Sequence, residues 1–183
     1  MLYVNFIAGE VPPLPPDARV NRYKVDAVVG SDLCRPGTTM QRVESGALLD
    51  AGLRGVVQHL HYTTLEERTD LTARSRTELP PSADTTAVLI PMRKTAEWWQ
   101  LAQDQRGAHF HAAHTPTGAP YVETIFRKLY HARYLGSPYD FLTYFEFARA
   151  SEGTFRELLA ALRATPEWAY VEAEPEVWMT KLT

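Results

Sequence analysis

Short stretches rich in β-branched and aromatic residues recur along this chain, and such stretches are typical of strands. They lie at residues 2–8, 23–29, 52–62, 86–92, 140–147, 169–173 and 177–182. The stretch 140–147 alternates most clearly, so every second residue is predicted to share one side of a strand. These residues are Phe141, Thr143, Phe145 and Phe147.

Helical signals separate several of these stretches. Helices are predicted at 64–76, from residue 95 to the turn at 115–118, from 120 to about 135, and at 154–163. In the third of these, Val122, Phe126 and Leu129 share one face at helical spacing. Arg127 falls off that face, so the periodicity by itself favours a solvated or ion-paired arginine.

The order of the elements predicts an α+β fold. In the second half of the chain, strand, helix, helix, strand, helix and strand follow one another, which favours an antiparallel sheet with helices on one side. The first half reads as a shorter and strand-richer version of the same plan. We therefore expect two such sheets packed into a barrel-like unit.

Composition narrows the classes of function. The chain has 183 residues, 45% of them hydrophobic, and a net charge of −3, which argues against wholesale binding to nucleic acid or to a membrane surface. The single Cys34 excludes an intramolecular disulfide and fits a reducing compartment. We find neither a signal-peptide pattern nor the ~20 consecutive apolar residues of a membrane span. A cytoplasmic location is therefore expected.

Three histidines and two tryptophans are the first candidates for chemistry. On a helix, His111 and His114 share a face with spacing suited to one metal ion, but no cysteine lies near them or near His109, so a structural zinc site is weakly supported. Surface histidines remain the alternative. Trp98 and Trp99 point ~100° apart on a helix, which leaves one of them for a cofactor or a subunit interface.

The same region resembles the haem-binding half of chlorite dismutases, a family that uses haem b. The family pattern is a tryptophan pair, an axial histidine, a distal arginine, and then the motifs RKLYH and DFxTYFE. Here thirteen residues separate His114 from Arg127 as in the family, and residues 127–131 and 140–146 match the two motifs. The resemblance covers residues 86–183 and, more loosely, 53–68.

The resemblance implies a role for each matching residue. His114 corresponds to the proximal ligand and metal-binding residue, with His111 as the alternative. Glu167 corresponds to the acid that hydrogen-bonds the ligand, with Glu172 as the alternative. Arg127 corresponds to the catalytic distal arginine. The other implied cofactor contacts are Tyr62, Lys94 and Trp98 at the propionates and porphyrin edge, and Trp99, Thr143 and Phe145 along the pocket.

The resemblance also implies a fold and an assembly. The family is built as a ferredoxin-like dimeric α+β barrel, with antiparallel sheets and helices on the outside, and here the N-terminal half looks trimmed. Residues 1–183 are expected to form one structural unit, with a shortened N-terminal ferredoxin-like half at 1–84 and a C-terminal haem-binding half at 85–183. The short length is similar to the lineage whose members are homodimers.

The implied function is decomposition of chlorite, a small anion, to chloride and O₂. The O–O bond forms at a histidine-ligated iron, and the distal Arg127 retains the hypochlorite intermediate. Coproporphyrin-decarboxylating relatives have an uncharged residue at the distal position, so an arginine favours chlorite. The alternatives are a peroxidase-like or porphyrin-handling relative of the same fold, and a non-catalytic haem sensor.

Overall fold

In a computed structural model, which describes residues 1–57, 76–112 and 117–183, the strands form one antiparallel sheet. The strands of this described part are β1 Tyr3–Ala8, β2 Arg19–Val29, β3 Thr39–Ser45, β4 Leu53–Val57, β5 Thr85–Lys94, β6 Phe126–His131, β7 Phe141–Ala148, β8 Val171–Ala173 and β9 Glu176–Lys181. Most are rich in β-branched or aromatic residues, which suits a pleated surface with one or both faces covered.

The sheet closes on itself as a barrel. Its strand order is β7-β6-β4-β1-β3-β2-β9-β5, and β5 pairs back with β7. The short β8 pairs antiparallel with the end of β5, at Arg93 and Lys94. Two pairings join the early and late parts of the chain: Val56 lies opposite His131 where β4 meets β6, and Val29 lies opposite Glu176 where β2 meets β9. Closure leaves eight strands without a free edge.

Helices are few in the described part of the chain and lie in its second half. They are α1 Ala96–Gln100, α2 Gln103–Ala112 and α3 Glu152–Arg163, with short 3₁₀ turns at Ala119–Tyr121, Arg149–Ser151 and Pro166–Tyr170. The predicted helix at 64–76 lies mostly outside the described residues. None of the helices described here is long and apolar enough to cross a membrane.

The expected ferredoxin-like α+β fold is wrong. A ferredoxin-like half carries two helices on its own sheet, whereas the described residues of the expected N-terminal half, 1–57 and 76–84, include no helix. The β4–β6 and β2–β9 pairings also merge all strands into one closed antiparallel barrel in place of two packed sheets. The local pattern of strands and helices carried no information about these long-range pairings.

The two faces of the barrel wall differ. Along β7, Leu142 and Tyr144 point into the barrel and belong to its interior core. The alternate residues Phe145 and Phe147 point outwards and pack against α3. Phe141 is also on the outer face, where it packs against the tryptophans of α1 and against α2. This confirms the predicted shared face of β7 and places α1, α2 and α3 outside the wall.

The predicted helix from residue 120 to about 135 is wrong, because residues 126–131 form β6. Phe126 and Tyr130 enter the interior core, and Lys128 lies on the same face, where its Nζ is 2.9 Å from Oε1 of Glu44. The inward lysine disrupts the apolar alternation, so the sequence pattern does not indicate a strand here. Arg127 thereby moves from a solvated helix face to the outer face of the barrel wall.

Candidate active site

A cavity lies between the outer face of β5, β6 and β7 and the helices that cover it. Three strands contribute alternate residues to its wall, and α2, α3 and the 3₁₀ turn at Pro166–Tyr170 close it. The lining residues are Ile90, Met92, Phe110, Arg127, Leu129, Phe141, Thr143, Phe145, Leu159, Leu162, Glu167 and Trp168. The described part of the wall is therefore mostly apolar, and its charged groups are one guanidinium and one carboxylate.

Arg127 is half-buried in this wall. Its position in β6 places it on the outer face beside β7, with Cζ 5.8 Å from the centre of the Phe145 ring. The loss of surrounding water lowers the pKa of Arg127 to about 10, and the charge of Glu167 opposes this shift. The guanidinium therefore keeps its charge at neutral pH in a largely apolar environment.

Glu167 and Lys94 form a buried ion pair at the edge of the cavity. Glu167 lies in the 3₁₀ turn that begins at Pro166, and Lys94 is the last residue of β5. Lys94 Nζ lies 2.6 Å from Oε1 of Glu167, and both residues are at most 4% exposed. Burial lowers the pKa of Lys94, whereas Glu167 raises it. The pair holds the Glu167 carboxylate in one orientation.

Glu172, the alternative to Glu167, lies elsewhere. Its carboxylate pairs with Arg93 at 2.9 Å, and both side chains are about half exposed, at 55% and 44%. An exposed pair of this kind contributes little to stability. Of the two acids, Glu167 is the one that lines the cavity.

The two tryptophans of α1 have different environments. Trp98 is fully buried. The centre of its ring lies 5.6 Å from the ring centres of Phe110 and Tyr170 and 4.2 Å from Lys94 Nζ. Its Nε1 is buried and has no hydrogen-bond partner among the described residues. The ring of Trp99 stacks on that of Phe141, with 6.2 Å between the ring centres.

Arg133 covers one face of the Trp99 ring. The Arg133 guanidinium carbon lies 3.5 Å from the centre of the Trp99 ring, and Asp140 accepts a hydrogen bond from Arg133 at 3.1 Å. Trp99 is thus held between an arginine and the cavity-lining Phe141. The pair of adjacent rings diverges as helical geometry predicts.

The structure brings several of the predicted site residues together. Arg127, Thr143, Phe145 and Glu167 line the cavity. Lys94 contacts Glu167, Trp98 contacts Lys94, and Trp99 contacts Phe141. His114 and Tyr62 lie outside the described residues. His111 is exposed on α2. No cluster of three or more metal-ligating side chains occurs in the described ranges.

Sequence reasoning missed part of the cavity wall. The missed residues are Ile90, Met92, Phe110, Leu129, Phe141, Leu159, Leu162 and Trp168. The outward alternation of β7 already contained Phe141, and the same alternation in β5 identifies Ile90 and Met92. Those on β6 and in the helices depend on tertiary packing, which no local pattern reveals.

This chain belongs to the chlorite dismutase family, since the family model described as chlorite dismutase matches residues 37–183. A curated relative, the chlorite dismutase of Ideonella dechloratans, is 34% identical over 119 residues. That match covers 64% of this chain and 40% of the relative, so the chain spans about two fifths of the length of that protein.

Solved structures of the family have a similar fold. A structure of dimeric chlorite dismutases from Nitrobacter winogradskyi is 33% identical, with a TM-score of 0.77 over 97% of this chain and 99% of that one. A tryptophan mutant of the chlorite dismutase from Candidatus Nitrospira defluvii is 23% identical, with a TM-score of 0.75 over 98% of this chain and 90% of that one. The second likeness concerns the fold alone.

Proposed function

We propose that this protein is a haem b-dependent chlorite dismutase, which converts chlorite into chloride and O₂. The observation that carries the proposal is the half-buried, charged Arg127 in a mostly apolar cavity of a chlorite dismutase family member. A fixed cation with little surrounding water is the group that small anions such as chlorite and hypochlorite require.

The side chains around the cavity suit a flat apolar cofactor that carries carboxylates. Most of the wall is aromatic or aliphatic. The buried Nε1 of Trp98 has no partner in the described chain, and a propionate oxygen would supply one. The cavity measures about 30 Å³, far less than the roughly 300–1,000 Å³ of a pocket that holds a small organic ligand. A porphyrin therefore enters only when the cavity walls separate.

His114 would hold the haem iron through one ring nitrogen, and Glu167 would accept a hydrogen bond from the other. Such an acid fixes the tautomer of the imidazole and raises its basicity. The Lys94 ion pair supports this role, since it holds the buried Glu167 side chain in one orientation. When bound, haem b supplies the redox-active iron at which a Cl–O bond breaks and an O–O bond forms.

Arg127 would attract chlorite into the cavity and hold hypochlorite there. The chain has a net charge of −3, so an anion needs local positive potential to enter. Charge-assisted hydrogen bonds from a guanidinium strengthen where water is excluded. Thr143 adds a hydroxyl to the same wall, and Tyr62 is retained as a propionate contact.

We further propose a homodimer located in the cytoplasm, with residues 85–183 as the haem-binding part of one structural unit. The description of the Nitrobacter winogradskyi proteins as dimeric supports the assembly. The single Cys34 supports a reducing compartment.

The proposal is tested with haem-loaded protein, chlorite and an oxygen electrode. We expect about one O₂ per chlorite consumed, with chloride as the other product. Haem that bleaches without release of O₂ would support a haem-binding relative with another task. A protein that takes up no haem would refute the proposal altogether.

A further inference from the structure

A cluster of tyrosines and charged residues occupies the barrel interior, on the opposite side of the wall from the cavity. Three of its members, Tyr23, Tyr130 and Tyr144, are completely buried. The charged members are Arg42, Glu44, Glu78, Lys128, Glu146 and Lys181. The three cations balance the three carboxylates, and the proposed reaction uses none of these residues.

Tyr144 is hydrogen-bonded to a carboxylate and to a second tyrosine. Its hydroxyl donates a hydrogen bond to Oε1 of Glu146, and its oxygen lies 2.8 Å from that of Tyr23. Glu146 is itself 0% exposed. The Glu146 carboxylate also accepts hydrogen bonds from Lys181 Nζ at 2.9 Å and from the backbone N–H of Leu79 at 2.8 Å. The phenol therefore has a fixed proton acceptor in a dry environment.

Tyr144 also lies directly behind the cavity. Its neighbours in β7, Thr143 and Phe145, both line the cavity, while the Tyr144 ring points into the barrel. Tyr144 packs 5.7 Å from Phe6 and 6.4 Å from Phe126, ring centre to ring centre. The thickness of the barrel wall separates the phenol from whatever reacts at Arg127.

The surroundings of Tyr144 limit how it can lose an electron. Burial raises the pKa of Tyr144 well above its ordinary value, so the phenolate is not available as a donor. The Arg42 guanidinium lies 4.6 Å from the centre of the ring and disfavours a positively charged ring. Loss of an electron must therefore accompany loss of the proton, and Glu146 already accepts that hydrogen bond.

Resting on the proposed haem function, we propose that Tyr144 and Glu146 form a proton-coupled electron donor to the cavity. One electron passes from Tyr144 to a haem group that a peroxide or hypochlorite has oxidised. The phenolic proton passes along the hydrogen bond to Oε1 of Glu146. A neutral tyrosyl radical and a protonated carboxyl remain, and the haem group has gained one electron. The pair removes oxidising equivalents that would otherwise damage the cavity.

The test is electron paramagnetic resonance of haem-loaded protein, frozen shortly after one equivalent of hydrogen peroxide. We expect a tyrosyl signal that Tyr144→Phe removes and Tyr134→Phe retains, since Tyr134 is 87% exposed at the surface. Incorporation of difluorotyrosine at position 144 keeps the ring and its hydrogen bond. It should add fluorine hyperfine structure to the signal.

The outcomes separate this inference from the proposed function. A signal that difluorotyrosine at position 144 leaves unchanged overturns the inference, as does the absence of any tyrosyl signal. Because peroxide is the oxidant, the experiment does not depend on chlorite turnover. A Tyr144 radical in a protein that releases no O₂ would refute chlorite dismutation and support the electron donor. Failure to bind haem would overturn both.

Discussion

Replacement of Arg127 by alanine is the sharpest test of the proposed cavity chemistry. Arg127 is the only cation among the described residues that line the cavity. The substitution leaves the apolar wall and Glu167 in place, so haem uptake should persist. Loss of one preorganised donor of this kind typically lowers kcat by about 100- to 1,000-fold, or about 3–4 kcal/mol. We expect a loss of that size in the initial rate of O₂ release.

The number of turnovers before bleaching is a second readout. Hypochlorite that Arg127 no longer retains should leave the cavity, so a chlorination scavenger should trap more of it in Arg127→Ala. Arg22→Ala is the matched control, because Arg22 is exposed on β2 and its loss changes the net charge equally. Unchanged rate and turnover number in Arg127→Ala, at equal haem content, would refute the role of the guanidinium.

Arg127→Lys adds a test by pH. With a pKa of about 10, Arg127 keeps its charge up to strongly alkaline pH, so any activity that depends on the charge should be constant at neutral pH and lost only as pH rises through about 10. A lysine at the same site starts from an ordinary pKa near 10.4 and loses its charge more readily on burial. Its alkaline loss of activity should therefore occur at lower pH, as measured by initial rates.

Three further changes test the surrounding residues. His114→Ala should abolish the Soret band of loaded protein, and imidazole should restore part of it; unchanged haem binding would exclude His114 as ligand. Lys94→Met leaves Glu167 buried without a partner and should cost about 3–5 kcal/mol in urea unfolding, most of it regained with Glu167→Gln in the same chain. Burial opposes ionisation of Glu44, but Arg42 and Lys128 outweigh it and hold the pKa of Glu44 below the ordinary 4.5. The stabilisation of the folded state by ionised Glu44 is therefore complete above pH 4.5 and is lost as pH falls through the lowered pKa. Glu44→Gln should reduce the fall of Tm with decreasing pH. An unchanged dependence of Tm on pH in acid would contradict this.

The strands that the sequence revealed have a simple pattern of apolar positions. In β7, the outward face carries three phenylalanines and a threonine, and the period of two is evident without a structure. In β5, both faces are apolar, and the run is short enough to exclude a helix. These two strands supply five of the twelve lining residues, so part of the site is predictable from the sequence.

The missed strands have charges inside the barrel. The sequence pattern predicts no strand at β3, where Arg42 and Glu44 belong to the interior polar cluster. It predicts a helix over β6, where Lys128 points inwards to Glu44. An inward charge removes the apolar half of the alternation on which strand recognition depends. Periodicity therefore misplaced Arg127, and only the spacing from His114 shared with the family identified it.

The fold class was wrong for a different reason. Barrel closure depends on pairs such as Val56 with His131 and Val29 with Glu176, which are far apart in the chain. Alternation shows that the faces of a strand differ, but it does not show which face lies inside a closed sheet. In β7 the outward residues include Phe145 and Phe147, while the inward residues include Glu146. An apolar outer face requires α2 and α3 as a cover, and the space left between that cover and the barrel wall is the cavity that contains Arg127.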